Sequence, residues 1–312
     1  MAAENRRQHY VPRFYLESFV DRSGYLWVYD VGCPYRRSLP QEVGHQRDYY
    51  ALKADGVRYN SVDDWLQQSE TAAGTLLPKI TRGEEISEQE WSDLCTFVGL
   101  LFARVPAARN YADRSYGKAA TSKFLAVIDD AEEFARLFER SKHRIVNSTT
   151  AEEFHQRLRE GYRLEQDSQY HNLVTMVDVA EEAITCLSKF SWEIITTEEE
   201  RFVTADNPVV TVTPDRHGSA AYGEWFDAPG VLVLFPLSPT VCLVLRERSA
   251  RRRYPVSPKQ VRCVNSAIMA LADRFMFADE QSERLRRVFD KKGCKTEYTD
   301  AKFVKIRPEW LV

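Results

Sequence analysis

The sequence predicts an α+β fold, with N-terminal short strands, a helical middle, and a C-terminal antiparallel sheet with flanking helices. Three observations carry this. Residues 25–30 alternate and are rich in aromatics, the pattern of a strand. From Ser61 to about residue 190, apolar side chains recur at helical spacing. Beyond residue 190 the period drops to two, and turn residues separate short β-branched runs.

The chain has 312 residues, 44% of them hydrophobic and 29% charged, enough apolar material for a sizeable core. It shows neither a repeat of fixed period nor a clean linker. It therefore reads as a single α+β unit over 1–312, with a helical lobe at about 61–190. A net charge of -3 argues against a general nucleic-acid-binding surface, although a local basic groove is compatible with it. The six cysteines form no CxxC pair and read as reduced thiols of a cytoplasmic protein. The first thirty residues lack the apolar run of a signal peptide, and no window resembles a membrane span, so no membrane partner is expected.

Pro12 restricts Val11 to extended geometry, so any helix in residues 8–20 starts near Pro12. Residues 48–52 are a second strand candidate, and Asp55-Gly56 is a turn. Ser61 is the expected N-cap of a long helix broken at 81–86. Ser87, with Glu90 three residues on, is the capping box of the next, which reaches Arg104-Val105-Pro106. Further helices are expected within 107–141, over 150–161 and over 167–189. Residues 191–197 and 201–204 flank an acidic tip and read as a hairpin. Residues 209–213 are a strand and 214–230 a long loop, and 231–235 and 241–246 form a hairpin around Pro236–Pro239. Ser257-Pro258 opens a helix to about Asp273, followed by a short strand at 275–278 and a helix at 280–290.

Among candidate site residues, His9 is a metal ligand or general base, or else a hydrogen-bonding anchor of the N-terminal arm. Asp206-Asn207 lies between two strands. It could hold a metal or orient a substrate, or serve as turn chemistry ahead of Pro208. Glu70 must pair if it faces inward, with Arg104 or His9 as partners. Arg104 is a fork for a carboxylate or phosphate, or a compensating charge at a helix C-terminus. Tyr10, Arg13 and Tyr15 crowd the same N-terminal stretch as substrate-binding candidates. Arg251, Arg252 and Arg253 are either a solvated loop or a phosphate contact for nucleic acid. No Gly-rich phosphate loop and no GxSxG elbow is present.

The stretch from His9 to Leu16, Trp27–Asp30, Thr204–Val209 and Phe235–Pro239 together resemble domain-of-unknown-function family 4238. The resemblance runs over nearly the whole chain. Its bacterial members open with a His-Tyr-Val-Pro-like motif and carry a Ser-Asp-Asn-Pro-like motif in the second half. Ala205 stands here where serine is common. The resemblance extends to Glu70, Arg104-Val105-Pro106 and Asn265, and it implies no particular reaction.

The first functional reading is a hydrolase or nuclease acting on a phosphodiester. His9, Glu70 and Asp206 would serve as divalent-metal ligands or acid/base groups, with Asn207 orienting substrate and Arg104 offsetting phosphate charge. The alternative is a non-catalytic binding or interaction protein in which His9 and Asp206-Asn207 are structural anchors.

Overall fold

A computed structural model describes residues 6–54, 57–59, 61–110, 168–214, 220–247 and 251–293. The Asp55-Gly56 turn, the 150–161 helix and the part of the expected 107–141 helices beyond residue 110 lie outside the described residues. The chain divides into two compact units. One comprises Met1–Tyr111 with Leu173–Val312, the other Ala112–Asn172. The first holds the elements described below, apart from the opening residues 168–172 of one helix.

Strand β1 (Arg7–His9) enters first, and Pro12 then caps the single turn α1 (Arg13–Leu16), as its fixed φ favours. Strands β2 (Leu26–Asp30), β3 (Arg36–Ser38) and β4 (His45–Arg47) follow. The second strand expected at 48–52 is not there. Asp48 takes a left-handed φ of 56°, which breaks extension, and pairing passes to β4 before it and β5 (Leu52–Ala54) after it. β5 forms a hairpin with β6 (Val57–Tyr59).

Helix α2 (Ser61–Arg82) ends where Gly83 adopts φ +82° and its N–H donates to the Ile80 carbonyl. Helix α3 (Glu88–Arg104) opens on the expected Ser87–Glu90 capping box. Helix α4 (Ser168–Leu187) presents Leu173, Met176, Ala180, Ala183 and Leu187 to the core. α3 and α4 approach closely at Gly99, where a Cβ would stand 2.6 Å from Ile184 Cγ1 and 3.2 Å from its backbone nitrogen. Gly99→Val is therefore expected to lower stability by about 2–3 kcal/mol in urea unfolding, because neither backbone can yield readily.

The C-terminal half supplies β7 (Ser191–Thr196), β8 (Thr204–Ala205), β9 (Val210–Pro214), β10 (Ala220–Tyr222), β11 (Leu232–Ser238), β12 (Val241–Arg246) and β13 (Arg252–Pro255). Helix α5 (Pro258–Leu271), capped by Ser257, strand β14 (Phe275–Ala278) and helix α6 (Glu283–Lys292) complete it. The main sheet runs β10-β9-β11-β12-β7-β13 and a second runs β3-β2-β14-β8.

Four expectations are corrected here. β7 and β8 are not a hairpin: β12 and β13 occupy both edges of β7, and β8 joins the other sheet beside β14. The main sheet is not wholly antiparallel, because β13 pairs β7 in parallel. Residues 252–255 are strand rather than loop, and the 214–230 segment contains β10.

Successive residues of β11 explain the layering. Val233 and Phe235 face α2–α4, and Leu232 and Leu234 face α5 and β14. A strand buried on both faces reads as a continuous apolar run, as this one does. Among the described residues, no helix is long and apolar enough to cross a membrane.

Candidate functional site

The N-terminal motif is built around β1. Its three residues pair with β4, which sets His9 opposite His45. The two imidazoles meet edge to face, with centroids 5.2 Å apart. The chain then turns sharply, and both Tyr10 N–H and Val11 N–H donate to the Gly44 carbonyl. Gly44 is required at this point. Its φ is +66°, and a Cβ would lie 3.2 Å from Val11 Cβ.

Two tyrosines tie this turn to the helices. Tyr50 N–H donates to Gln8 Oε1 at 2.7 Å, and its hydroxyl donates to the His9 carbonyl at 3.3 Å. Tyr49 hydroxyl donates to the Arg104 carbonyl at 3.0 Å, at the last turn of α3. Arg104 Nη1 then donates to Glu70 Oε1 on α2 at 2.7 Å. The expected inward pairing of Glu70 with Arg104 is thus observed. Arg104 is 2% exposed and Glu70 26%, so the carboxylate keeps contact with solvent.

The other edge of the guanidinium is the unusual feature. Nε and Nη2 of Arg104 are buried and meet no acceptor among the described residues, and the same holds for His9 Nε2 and Gln8 Nε2. Nε–H and Nη2–H project from one side of the planar group, the edge that grips a carboxylate or phosphate with two bonds. Burial lowers the His9 pKa to about 4, and the charges of His45, Arg104, Arg13 and Arg7 act in the same direction. The imidazole is therefore neutral near neutral pH and sits in a positive field. Burial also raises Tyr49 to about 12 and lifts Tyr50 well above the ordinary value, keeping both hydroxyls protonated as donors.

The His9 shift has a consequence for stability. Its folded pKa lies below the ordinary 6.5, so the unfolded chain takes up this proton first as pH falls. The contribution of His9 to stability is expected to be full above pH 6.5 and to be lost towards pH 4. The loss is about 1–2 kcal/mol after allowing for the ring's partial exposure. Urea titrations across that range should show wild type losing stability relative to His9→Gln as pH falls, a difference that isolates His9 from the opposite contribution of the buried Asp206 carboxyl.

The remaining candidates lie elsewhere. Asp206 is 1% exposed and accepts backbone N–H bonds from Asp273 (2.9 Å), Arg274 (2.7 Å) and Phe275 (2.7 Å). Burial pushes its carboxyl up to about 7, against the pull of these donors. Asn207 Nδ2 donates to the Leu271 carbonyl at 2.9 Å. Both side chains hold the exit of α5 against β14, and the lone pairs a metal would need from Asp206 point at backbone. Among the described residues, no group of three or more His, Cys, Asp or Glu is placed to hold a metal ion. His9, Glu70 and Asp206 therefore do not form the expected ligand set.

Tyr15 is fully buried, donating to the Pro236 carbonyl and bonding Thr204 Oγ1, each at 2.7 Å. It ties α1 to the two sheets and does not face a site. Tyr10 is buried against the Tyr49 ring. Arg13 is exposed and pairs with Glu17, so it adds charge near His9 and no contact.

The basic run is also engaged in the fold. Arg252 Nε and Arg246 Nη2 donate to Glu193 Oε1, and Tyr254 hydroxyl donates to Oε2. Arg253 donates to the carbonyls of Ile80 and Thr81 at the end of α2. Arg251 lies 5.9 Å over the Trp192 ring. Two of the three expected phosphate contacts are thereby committed to protein groups. Sequence reasoning missed His45 and Gln8. The inverted pair Gln8-His9 and His45-Gln46, now known to be in register, was the available signal.

The α+β frame and the polar cluster joining β1, the Tyr49–Tyr50 turn, α2 and α3 define a class whose N-terminal motif is its organising element. The chain belongs to the DUF4238 family, described as proteins of unknown function, whose pattern matches residues 7–282. No curated protein and no solved structure matches it.

Proposed function

We propose that the protein binds an anionic ligand carrying a phosphate or carboxylate, held by the free edge of Arg104 beside His9. One observation supports the reading above the others. A buried guanidinium keeps Nε and Nη2 without an acceptor among the described residues while Nη1 is fixed by Glu70. Donors buried without partners each cost about 1–3 kcal/mol, and a two-oxygen ligand removes that cost. The surrounding groups that act on His9 are all basic, which favours an anion over a cation.

A hydrolytic reading of the same cluster rests on a second observation, the neutral His9 with Nε2 unbonded among the described residues. A bound phosphoester would raise the imidazole pKa towards neutrality, the range suited to a general base, with Arg104 offsetting charge on the phosphoryl oxygens.

The test is calorimetric titration of the full chain with inorganic phosphate, pyrophosphate and citrate at low salt. Saturable binding that tightens as pH falls is expected, because the bound anion stabilises protonated His9. Absence of binding by all three up to about 10 mM would end this reading. Turnover of bis(p-nitrophenyl) phosphate, lost in His9→Gln with phosphate binding retained, would favour the hydrolase. Binding without turnover would favour a binding module.

A further inference from the structure

A cavity of about 340 Å³ lies away from His9, where the turn after α2 meets the β7–β13 edge of the main sheet. Its apolar wall is Ile80, Ile86 and Ile194, all buried, together with the Trp192 ring. The other lining side chains are charged: Glu84, Glu85, Arg251, Arg252 and Arg253. Trp192 Nε1 is buried and has no acceptor among the described residues. An indole N–H so placed normally finds a partner. Arg251 stands over the same indole at the rim and makes no ion pair among the described residues. Its neighbours differ, since Arg252 is bonded to Glu193 and Arg253 to the α2 carbonyls.

We infer that this cavity is a second binding site, for a small monocarboxylate with an apolar ring or short chain. The apolar part would fill the isoleucine-lined wall against the Trp192 face. One carboxylate oxygen would accept the Trp192 Nε1–H, and the charge would face Arg251. The size fits, because 340 Å³ is at the lower end of ligand pockets, which run from about 300 to 1,000 Å³. An apolar wall facing a charged rim suits a ligand with an apolar body and one charged end. Glu84 and Glu85 at the rim set the selectivity, opposing a second negative charge on the ligand.

The test is titration calorimetry of the full chain with 4-phenylbutyrate, its neutral amide, and phenethylamine. 4-Phenylbutyrate is expected to bind, and the amide and the amine to bind at least about tenfold more weakly. Trp192→Phe keeps the ring and removes the N–H. Arg251→Gln changes only an exposed side chain. Each is expected to weaken 4-phenylbutyrate about tenfold. Arg104→Met is expected to leave it unchanged, which separates this site from the one beside His9. No binding up to about 10 mM overturns the inference. So does equal binding of the amide, or unchanged affinity in both Trp192→Phe and Arg251→Gln.

Discussion

Asp206→Ala is expected to destabilise the protein by about 4–5 kcal/mol, the largest effect of any single substitution considered. The carboxylate gathers three consecutive N–H groups, from Asp273, Arg274 and Phe275, at 2.7–2.9 Å. These follow the end of α5, where the chain turns into β14. Alanine removes the acceptor these three donors share, at a position 1% exposed, and water can replace it only from the exposed side of Asp273 and Arg274. Each orphan costs about 1–3 kcal/mol, so the sum is large even if relaxation satisfies one of them. Asp206→Asn should be intermediate, about 2–3 kcal/mol, because its amide places a donor against at least one N–H. Denaturant unfolding of both variants measures this. A residue reserved for chemistry would behave differently, since removing a buried functional acid usually leaves stability unchanged or raises it. A stable Asp206→Ala would restore the catalytic reading of the Asp-Asn-Pro motif.

How far the sequence could be read depended on how local each signal is. The Ser87–Glu90 and Ser257 caps, the Pro12 start and the β14 strand depend on neighbours within a few residues, and all are found where expected. The pairing of β8 with β14 joins residues about seventy positions apart, which alternation alone does not encode. The same distinction runs through the site. Glu70 and Arg104 could be paired in advance because an inward glutamate needs a cation. That Asp206 faces backbone could not be read, because a carboxylate for a metal and one for three amides leave the same letter in the chain. The side edge of Arg104 is a third kind of information. It concerns which of five N–H groups is left over, and only coordinates carry it.

Arg104→Met tests whether that leftover edge exists for a ligand, through two measurements of opposite sign. Phosphate affinity is expected to fall at least about 100-fold, since a bidentate charge-assisted pair is worth about 3 kcal/mol. Folding stability without ligand is expected to stay level or rise by about 1–2 kcal/mol. Burying a guanidinium with half its donors unmatched costs desolvation energy, and methionine fills similar space without it. The partner left behind does not reverse the sign, because Glu70 is 26% exposed and can be hydrated. Tyr49 bonds the Arg104 backbone carbonyl, which methionine retains. A purely structural Arg104 predicts the reverse pattern, a loss of about 3 kcal/mol with anion binding intact. A fold that gains stability as it loses its ligand would mean the unmatched donors are maintained at a cost, and binding is the reason the arrangement offers for that cost.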